Sequence, residues 1–409
     1  MNKLSYHVKN EWIRQKMADY YVCIIVCYCI LGFLQRFLES LPIHRVMGGI
    51  VFIMAMFMAF YKMRKEYYSV LFLIALIFIK SLFSTASIAV EISNWIFLFS
   101  TIFSIFLVSH ASWILCLKNS LSKYNLFICY TTIIMSLFLG ISFFIPSCYG
   151  YKWGEGSYFT GFCNSEHTLA SLACLLYVFF YISIKNSTSK QNKRLLFCLS
   201  LIPIIAVFNT GARTFLIPIG ILFFYTIPLI CFSKKRRLAI YIICCIVGAI
   251  GFVNSSMLDK FLYVFNNKYV GDALESFTNG RNVFWLVDLK DYASGNFLEV
   301  LIGKNFANVY SVNYINLGVR IWAHNDLIFM LCGTGVVGTI IYLGLLLSLF
   351  NSKFLNFSFF KYCLFVIYVM FPLFFNGFFT YQYFVYSFIF LYIDERKLKG
   401  CGQNEHSYI

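Results

Sequence analysis

The chain has 409 residues, of which 60% are hydrophobic and 12% charged, and its mean hydropathy is +0.75. So little charge excludes an ordinary soluble domain, and the apolar runs do not alternate as the roughly ten-residue strands of a membrane β-barrel do. The formal charge of +16 does not mark a nucleic-acid partner, because the basic residues sit mainly in short loops between apolar segments, where they set membrane topology.

Apolar runs of about 17–25 residues recur along the chain, each long enough to cross a bilayer as a helix. They predict an all-α polytopic membrane protein with about twelve spans, roughly 18–35, 46–61, 67–86, 92–109, 125–145, 167–184, 195–209, 213–231, 238–253, 325–350, 359–376 and 380–395. The first run follows a polar start containing Lys3, Lys9, Arg14 and Lys16 and reads as a retained span, not a cleaved signal peptide. One set of loops carries Lys62/Arg64/Lys65, Lys118/Lys123, Lys185/Lys190/Lys193/Arg194, Lys234/Lys235/Arg236/Arg237 and Lys353, and both termini are also basic. The alternating loops are poorer in lysine, so the bias predicts cytoplasmic termini and an even number of spans.

This order divides the chain into an N-terminal membrane region (1–253), a large outer loop (254–324), a three-span C-terminal region (325–395) and a cytoplasmic tail (396–409). At about 70 residues the outer loop is longer than a connector needs to be. Within it, Phe284-Trp285-Leu286-Val287 and Phe297-Leu298-Glu299-Val300-Leu301 mix apolar and charged residues and predict short helices lying on the membrane.

The 15 cysteines show no metal-ligand spacing, and most lie in apolar runs, where cysteine behaves as a small hydrophobe. Cys148 and Cys163 differ in flanking one polar loop and would form a disulfide if that loop faces an oxidising side. No P-loop, GxGxxG or HExxH pattern is present, so neither ATP hydrolysis nor zinc proteolysis is indicated. Asp288/Asp291 is a weak acid pair at a common spacing.

Four polar stretches interrupt this background. The loop 146–166 is rich in glycine and aromatics and ends at Glu166, followed by His167; it suits either a sugar surface or an interfacial belt. Asn209-Thr210-Gly211-Ala212-Arg213-Thr214 reads as a tight turn in which Gly211 permits positive φ. Arg213 then either snorkels to lipid phosphate or presents its planar fork to an anion such as a pyrophosphate. Thr278-Asn279-Gly280-Arg281-Asn282 opens the aromatic segment, and Arg281 is either a solvated loop residue or a second phosphate ligand. Trp322-Ala323-His324-Asn325-Asp326 stands at the loop's exit. His324 is the best general-base candidate, while Asn325 and Asp326 also suit a helix N-cap. Arg320 lies four residues before His324 and shares its face if that stretch is helical.

Taken in order, Gly161-Phe162-Cys163-Asn164-Ser165-Glu166-His167, the Gly211-Ala212-Arg213 turn, Thr278-Asn279-Gly280-Arg281 with Trp285, and Trp322-Ala323-His324-Asn325-Asp326 with Gly333, Gly335 and Gly338 resemble elements of the O-antigen polymerase and O-antigen ligase superfamily. Ser165-Glu166 departs from the proline-asparagine ending of ligase-like members. The resemblance implies a lipid-linked glycosyltransferase that joins repeat units carried on undecaprenyl pyrophosphate at the periplasmic face of a bacterial inner membrane. It implies His324, Arg213 and Glu166 as catalytic, and Arg281, Arg320, Asn325, Asp326, Asn209, Trp285 and His167 as substrate-binding. No cofactor or metal is expected; the expected partners are the lipid-linked donor and acceptor, membrane lipid and a chain-length regulator. The alternatives are a ligase acting on lipid A core and a flippase or other transporter, although no internal repeat supports the latter.

Overall fold

The computed structural model describes residues 2–38, 43–61, 65–85, 87–153, 156–231, 233–253, 281–350 and 359–395. Residues 254–280, including Thr278, Asn279 and Gly280, and the tail 396–409 lie outside the described residues. The described chain is a helical bundle. Its first half comprises α1 (Asn2–Phe33), α2 (Ile43–Tyr61), α3 (Lys65–Ser84), α4 (Ile88–Ser109), α5 (Ala111–Lys123), α6 (Asn125–Ser142), α7 (Glu166–Asn186), α8 (Lys190–Leu199), α9 (Leu201–Thr210), α10 (Arg213–Ile230) and α11 (Lys234–Val253). The rest comprises α12 (Arg281–Ala293), α13 (Phe297–Ile302), α14 (Phe306–Leu317), α15 (Asp326–Ser348), α16 (Phe359–Phe375) and α17 (Gln382–Glu395).

Among the described residues, eight helical stretches are long and apolar enough to cross a membrane, with α8 and α9 forming one of them, so this is a multi-pass membrane protein. Two shorter apolar helices, Arg45–Tyr61 and Tyr362–Phe375, accompany them. All twelve apolar runs are helical, but length and composition alone do not qualify all twelve as spans.

Two features depart from the sequence expectation. Residues 111–123 were assigned to a basic loop but form α5, whose Trp113, Ile114, Leu117 and Leu121 make one buried stripe. Reading only long apolar runs misses such an amphipathic helix. The fold is also not wholly helical. β1 (Tyr149–Trp153) and β2 (Gly156–Phe159) pair antiparallel, with Tyr149 opposite Phe159 and an irregularity between Tyr149 and Tyr151. Aromatic residues favour this small sheet, and Phe159 packs under it against Phe143 and Tyr149. Cys148 and Cys163 are free thiols, and Cys163 Sγ donates to the Gly32 carbonyl at 3.4 Å.

The core is organised around α7, which is buried continuously from Leu169 to Ile184 and packs against α17, α9 and α10. Its N-cap is Ser165, whose side chain accepts from the Thr168 amide, satisfying one of the helix's free donors. At one end of the bundle, Lys185 Nζ pairs with Asp394 Oδ2 and Glu395 Oε1, both at 2.6 Å, and Lys123 Nζ pairs with Asp19 Oδ2 at 2.5 Å.

At the opposite end, α12–α14 fold against α3, α4 and α15. Buried Glu91 of α4 accepts from the Ala307 amide and from Trp95 Nε1, both at 2.8 Å. Gly335, inside α15, has φ 69° and ψ −171° and breaks its helical geometry. The break admits Gly303, whose φ is 79°. A Cβ on Gly303 would lie 2.4 Å from the Gly333 carbonyl oxygen, and one on Gly335 would lie 2.4 Å from the Gly303 nitrogen. Each glycine therefore combines a left-handed backbone with direct backbone contact.

Gly303→Ala and Gly335→Ala should each lower the thermal unfolding temperature of detergent-purified protein, by about 1–3 kcal/mol or more of stability. Gly220→Ala, in open space on α10, should be neutral or stabilising. Equal behaviour of the three variants would contradict the packing described.

Candidate functional site

The site forms where the starts of α7, α10, α12 and α15 meet the turn between α16 and α17. At the start of α15, Asn325 is the N-cap, and its Oδ1 accepts from the Leu327 and Ile328 amides at 2.9 and 3.2 Å. Its Nδ2 donates to the Phe374 carbonyl at 2.9 Å. Asp326 Oδ2 accepts from the Phe378 amide at 2.7 Å, the Phe379 amide at 3.0 Å and the Tyr342 hydroxyl at 3.1 Å. Both residues were expected to touch substrate. Both side chains are buried and hold protein groups, Asn325 through its whole amide and Asp326 through Oδ2, while Asp326 Oδ1 is buried without a hydrogen-bond partner.

This double attachment constrains the residue before it. His324 has φ 50°, the one positive value at a non-glycine residue among the described residues, a conformation that persists where its surroundings impose it. The preceding carbonyl, of Ala323, accepts from Trp285 Nε1 at 2.7 Å. Trp285, expected to bind substrate, thus holds the segment that carries His324. The Trp322 and His324 rings lie 4.7 Å apart between centroids.

His324 Nδ1 is 3.1 Å from Asn376 Oδ1, and the Tyr381 hydroxyl donates to the same oxygen at 3.5 Å. With the amide oxygen as acceptor, the proton sits on Nδ1 and Nε2 keeps its lone pair. Burial, reinforced by the positive charge of Arg281 and opposed by the Asn376 hydrogen bond, pushes the His324 pKa down to about 3. The imidazole is neutral at any physiological pH.

Other polar residues gather around this histidine and around Arg281 beside it. His167, at the start of α7, has its ring centroid 6.2 Å from that of His324 and 5.8 Å from that of Tyr381. Its Nε2 is 3.8 Å from Glu166 Oε1. Arg281, the first residue of α12, donates to the Phe375 carbonyl. Burial lowers its pKa, while the neighbouring Tyr381 and Glu166 favour its charge. Arg213, the first residue of α10, lies within electrostatic reach of Arg281 and of buried Tyr158 on β2. Two guanidinium groups and one carboxylate therefore share a mostly buried region. Gathering like charges in such surroundings is costly, and Glu166 offsets part of that cost at Arg281. The converging helix starts add the positive ends of their dipoles.

No protein-family model matches the chain. No curated protein matches it either. The case for a function therefore rests on this geometry and on the motifs in the sequence.

Of the residues singled out in the sequence, Arg213, Arg281, Glu166, His167 and His324 come together. Arg320 is not carried to them by a helix: α14 ends at Leu317, Gly318 turns the chain with φ 72°, and no helix carries Arg320 and His324 on one face. Arg320 is exposed and interacts with Tyr310 instead. Asn209 is half-buried in the last turn of α9, just ahead of the Gly211 turn, whose φ is 65°. Asp291 pairs with Lys304 Nζ at 2.9 Å and accepts from Asn308 Nδ2 at 2.9 Å, while Asp288 is buried and its pKa is raised to about 7 by burial. Among the described residues, no three His, Cys, Asp or Glu side chains form a metal-holding group. Asn376, Tyr381 and Tyr158 were missed. The legible signal was Asn376-Gly377, an amide in the Phe-rich hairpin before the last helix.

Two measurements check this arrangement. In nitrogen-15 histidine spectra, His324 should remain neutral and protonated on Nδ1 at pH 5, where a free imidazole of pKa about 6.5 would be charged. An imidazolium signal there would contradict the geometry. Because the folded-state pKa is depressed, the associated stability is full above about pH 6.5 and is lost as pH falls toward 3; His324→Gln should flatten that loss. Asp326→Ala leaves two buried amides without acceptors and should cost about 1–3 kcal/mol for each, whereas His324→Gln at neutral pH should unfold near the parent temperature.

Proposed function

We propose that this protein is an O-antigen polymerase-like membrane glycosyltransferase, which extends a surface polysaccharide from repeat units carried on undecaprenyl pyrophosphate. The observation that carries the reading is the placement of Arg281 beside a neutral His324, with Arg213 in electrostatic reach of Arg281, at one end of the bundle. The basic loops support a twelve-span topology with both termini in the cytoplasm of a bacterial inner membrane and 254–324 in the periplasm.

In this reading the donor's diphosphate binds between Arg213 and Arg281, its polyprenyl tail stays in lipid, and its sugars extend into the outer loop region. The acceptor hydroxyl loses its proton to His324 Nε2. Its oxygen forms the new glycosidic bond as the bond from the anomeric carbon to the diphosphate oxygen breaks, and the electron pair leaves with the diphosphate. Arginines at the leaving group stabilise charge where it develops. With a pKa near 3, His324 is a weak base in the empty site. Burial is the larger cause of that depression; bound diphosphate would offset the smaller one, the Arg281 charge, and shift His324 in the basic direction. His167 stands beside His324, with Glu166 next to it, and the two would orient the acceptor. Chain length would be set with a regulator protein.

Reconstituted protein supplied with defined lipid-linked repeats should make a ladder of longer glycans without nucleotide sugar or ATP. Arg213→Gln, Arg281→Gln and His324→Gln should each slow it by about 100-fold or more while remaining folded. Absence of elongation by folded protein would refute the reading. Transfer only to lipid A core would make it a ligase, and passage of intact units across the bilayer without growth a transporter.

A further inference from the structure

The segment 297–304 sits lower than an ordinary loop. Gly303 packs on Gly333 and Gly335 of α15. Gly333 lies seven residues into that apolar helix, or about 10 Å along its axis at 1.5 Å per residue. From α3, Lys80 Nζ donates to the carbonyls of Gly303 and Lys304, and the Ser84 hydroxyl donates to the latter at 3.2 Å. Lys80 itself stands four residues before the end of α3. The Lys304 amide donates to the Cys332 carbonyl at 2.9 Å. Irregular backbone at membrane depth must find its hydrogen-bond partners in the protein, and this turn does.

The short helix α13 leading into the turn shows the complementary property on its outer side. Phe297 is 82% exposed, Leu298 55% and Leu301 37%. The neighbouring α12 adds exposed Leu286 and Leu289, with exposed Lys290 beside them. This apolar face adjoins the two helices on which the turn is docked, and both present large exposed side chains of their own: Ile79 and Phe83 on α3, Val336 and Ile340 on α15. On the spanning helices such side chains face lipid.

We propose that α13 is embedded in the leaflet at the site's end of the bundle, with Phe297, Leu298 and Leu301 among the acyl chains. The occupant of this face is lipid, since the face continues the lipid-facing sides of α3 and α15, and the turn behind it is hydrogen-bonded as membrane-inserted backbone must be. The consequence reaches the site, because α12 begins at Arg281 and runs toward α13. Anchoring α13 fixes the level of Arg281 at the membrane surface, where the charged head of any lipid-linked anion lies. The insertion stands independently of the glycosyltransferase reading.

The test places 4-fluorophenylalanine at position 297 of the full chain in lipid nanodiscs and compares fluorine relaxation by dissolved oxygen, which concentrates in hydrocarbon, with that by a nickel chelate, which stays in water. Oxygen should exceed the chelate several-fold. An excess for the chelate would put α13 in water, and weak relaxation by both would mean that protein covers it; either result overturns the proposal. Because Phe297 is exposed, the substitution leaves the fold intact.

Discussion

A carboxylate buried at the start of an apolar helix needs partners, and those that Asp326 Oδ2 finds determine the rest of the site. Its Oδ2 gathers the Phe378 and Phe379 amides and the Tyr342 hydroxyl, which ties the turn before α17 to the start of α15. Asn325 adds the Phe374 carbonyl on the other side of that turn. With both ends of the turn fixed, Asn376 stands against His324, and His324 takes its left-handed backbone. Gly377 is needed at the centre, because a Cβ there would lie 2.2 Å from Thr380 Oγ1 and 2.5 Å from the Trp322 ring. The strain at one residue is thus carried by hydrogen bonds at its neighbours.

The electrostatics follow from the same scaffold. A neutral histidine tolerates burial, whereas the two guanidinium groups, in electrostatic reach of one another, each lower the cost of the other's neutral form, and Glu166 favours the charge of Arg281. Under the proposed function, a bound diphosphate would bring further negative charge to these arginines. The opposite end of the bundle shows the contrast: there Lys185 and Lys123 each meet a carboxylate directly, at 2.6 Å or less, through Asp394, Glu395 and Asp19.

Much of this was legible in the sequence because membrane helices write long apolar runs, and each of the twelve runs is helical. The Gly211 turn and the positions of Arg213, His324 and Glu166 at helix starts were also readable, since polar residues between apolar runs have few places to go. The failures have physical causes. The α5 helix has a narrow apolar stripe instead of a long run, and β1–β2 is set by aromatic pairing within one short loop. Arg320 was tied to His324 by a helical spacing that Gly318 interrupts. Asn325 and Asp326 were ambiguous between cap and ligand, and only the position of the 376–379 turn, far away in sequence, separates the two roles. Asn376 itself could not be placed without the fold that brings α16 and α17 against α15.

The most direct test of the central claim is calorimetric titration of the purified protein with farnesyl diphosphate and with farnesyl monophosphate. If Arg213 and Arg281 form the anion site, the diphosphate binds more tightly, and either glutamine substitution weakens it at least about tenfold, the equivalent of 1.4 kcal/mol, while the monophosphate changes less. Equal affinity for the two ligands, or diphosphate binding unaffected by both substitutions, would contradict the account.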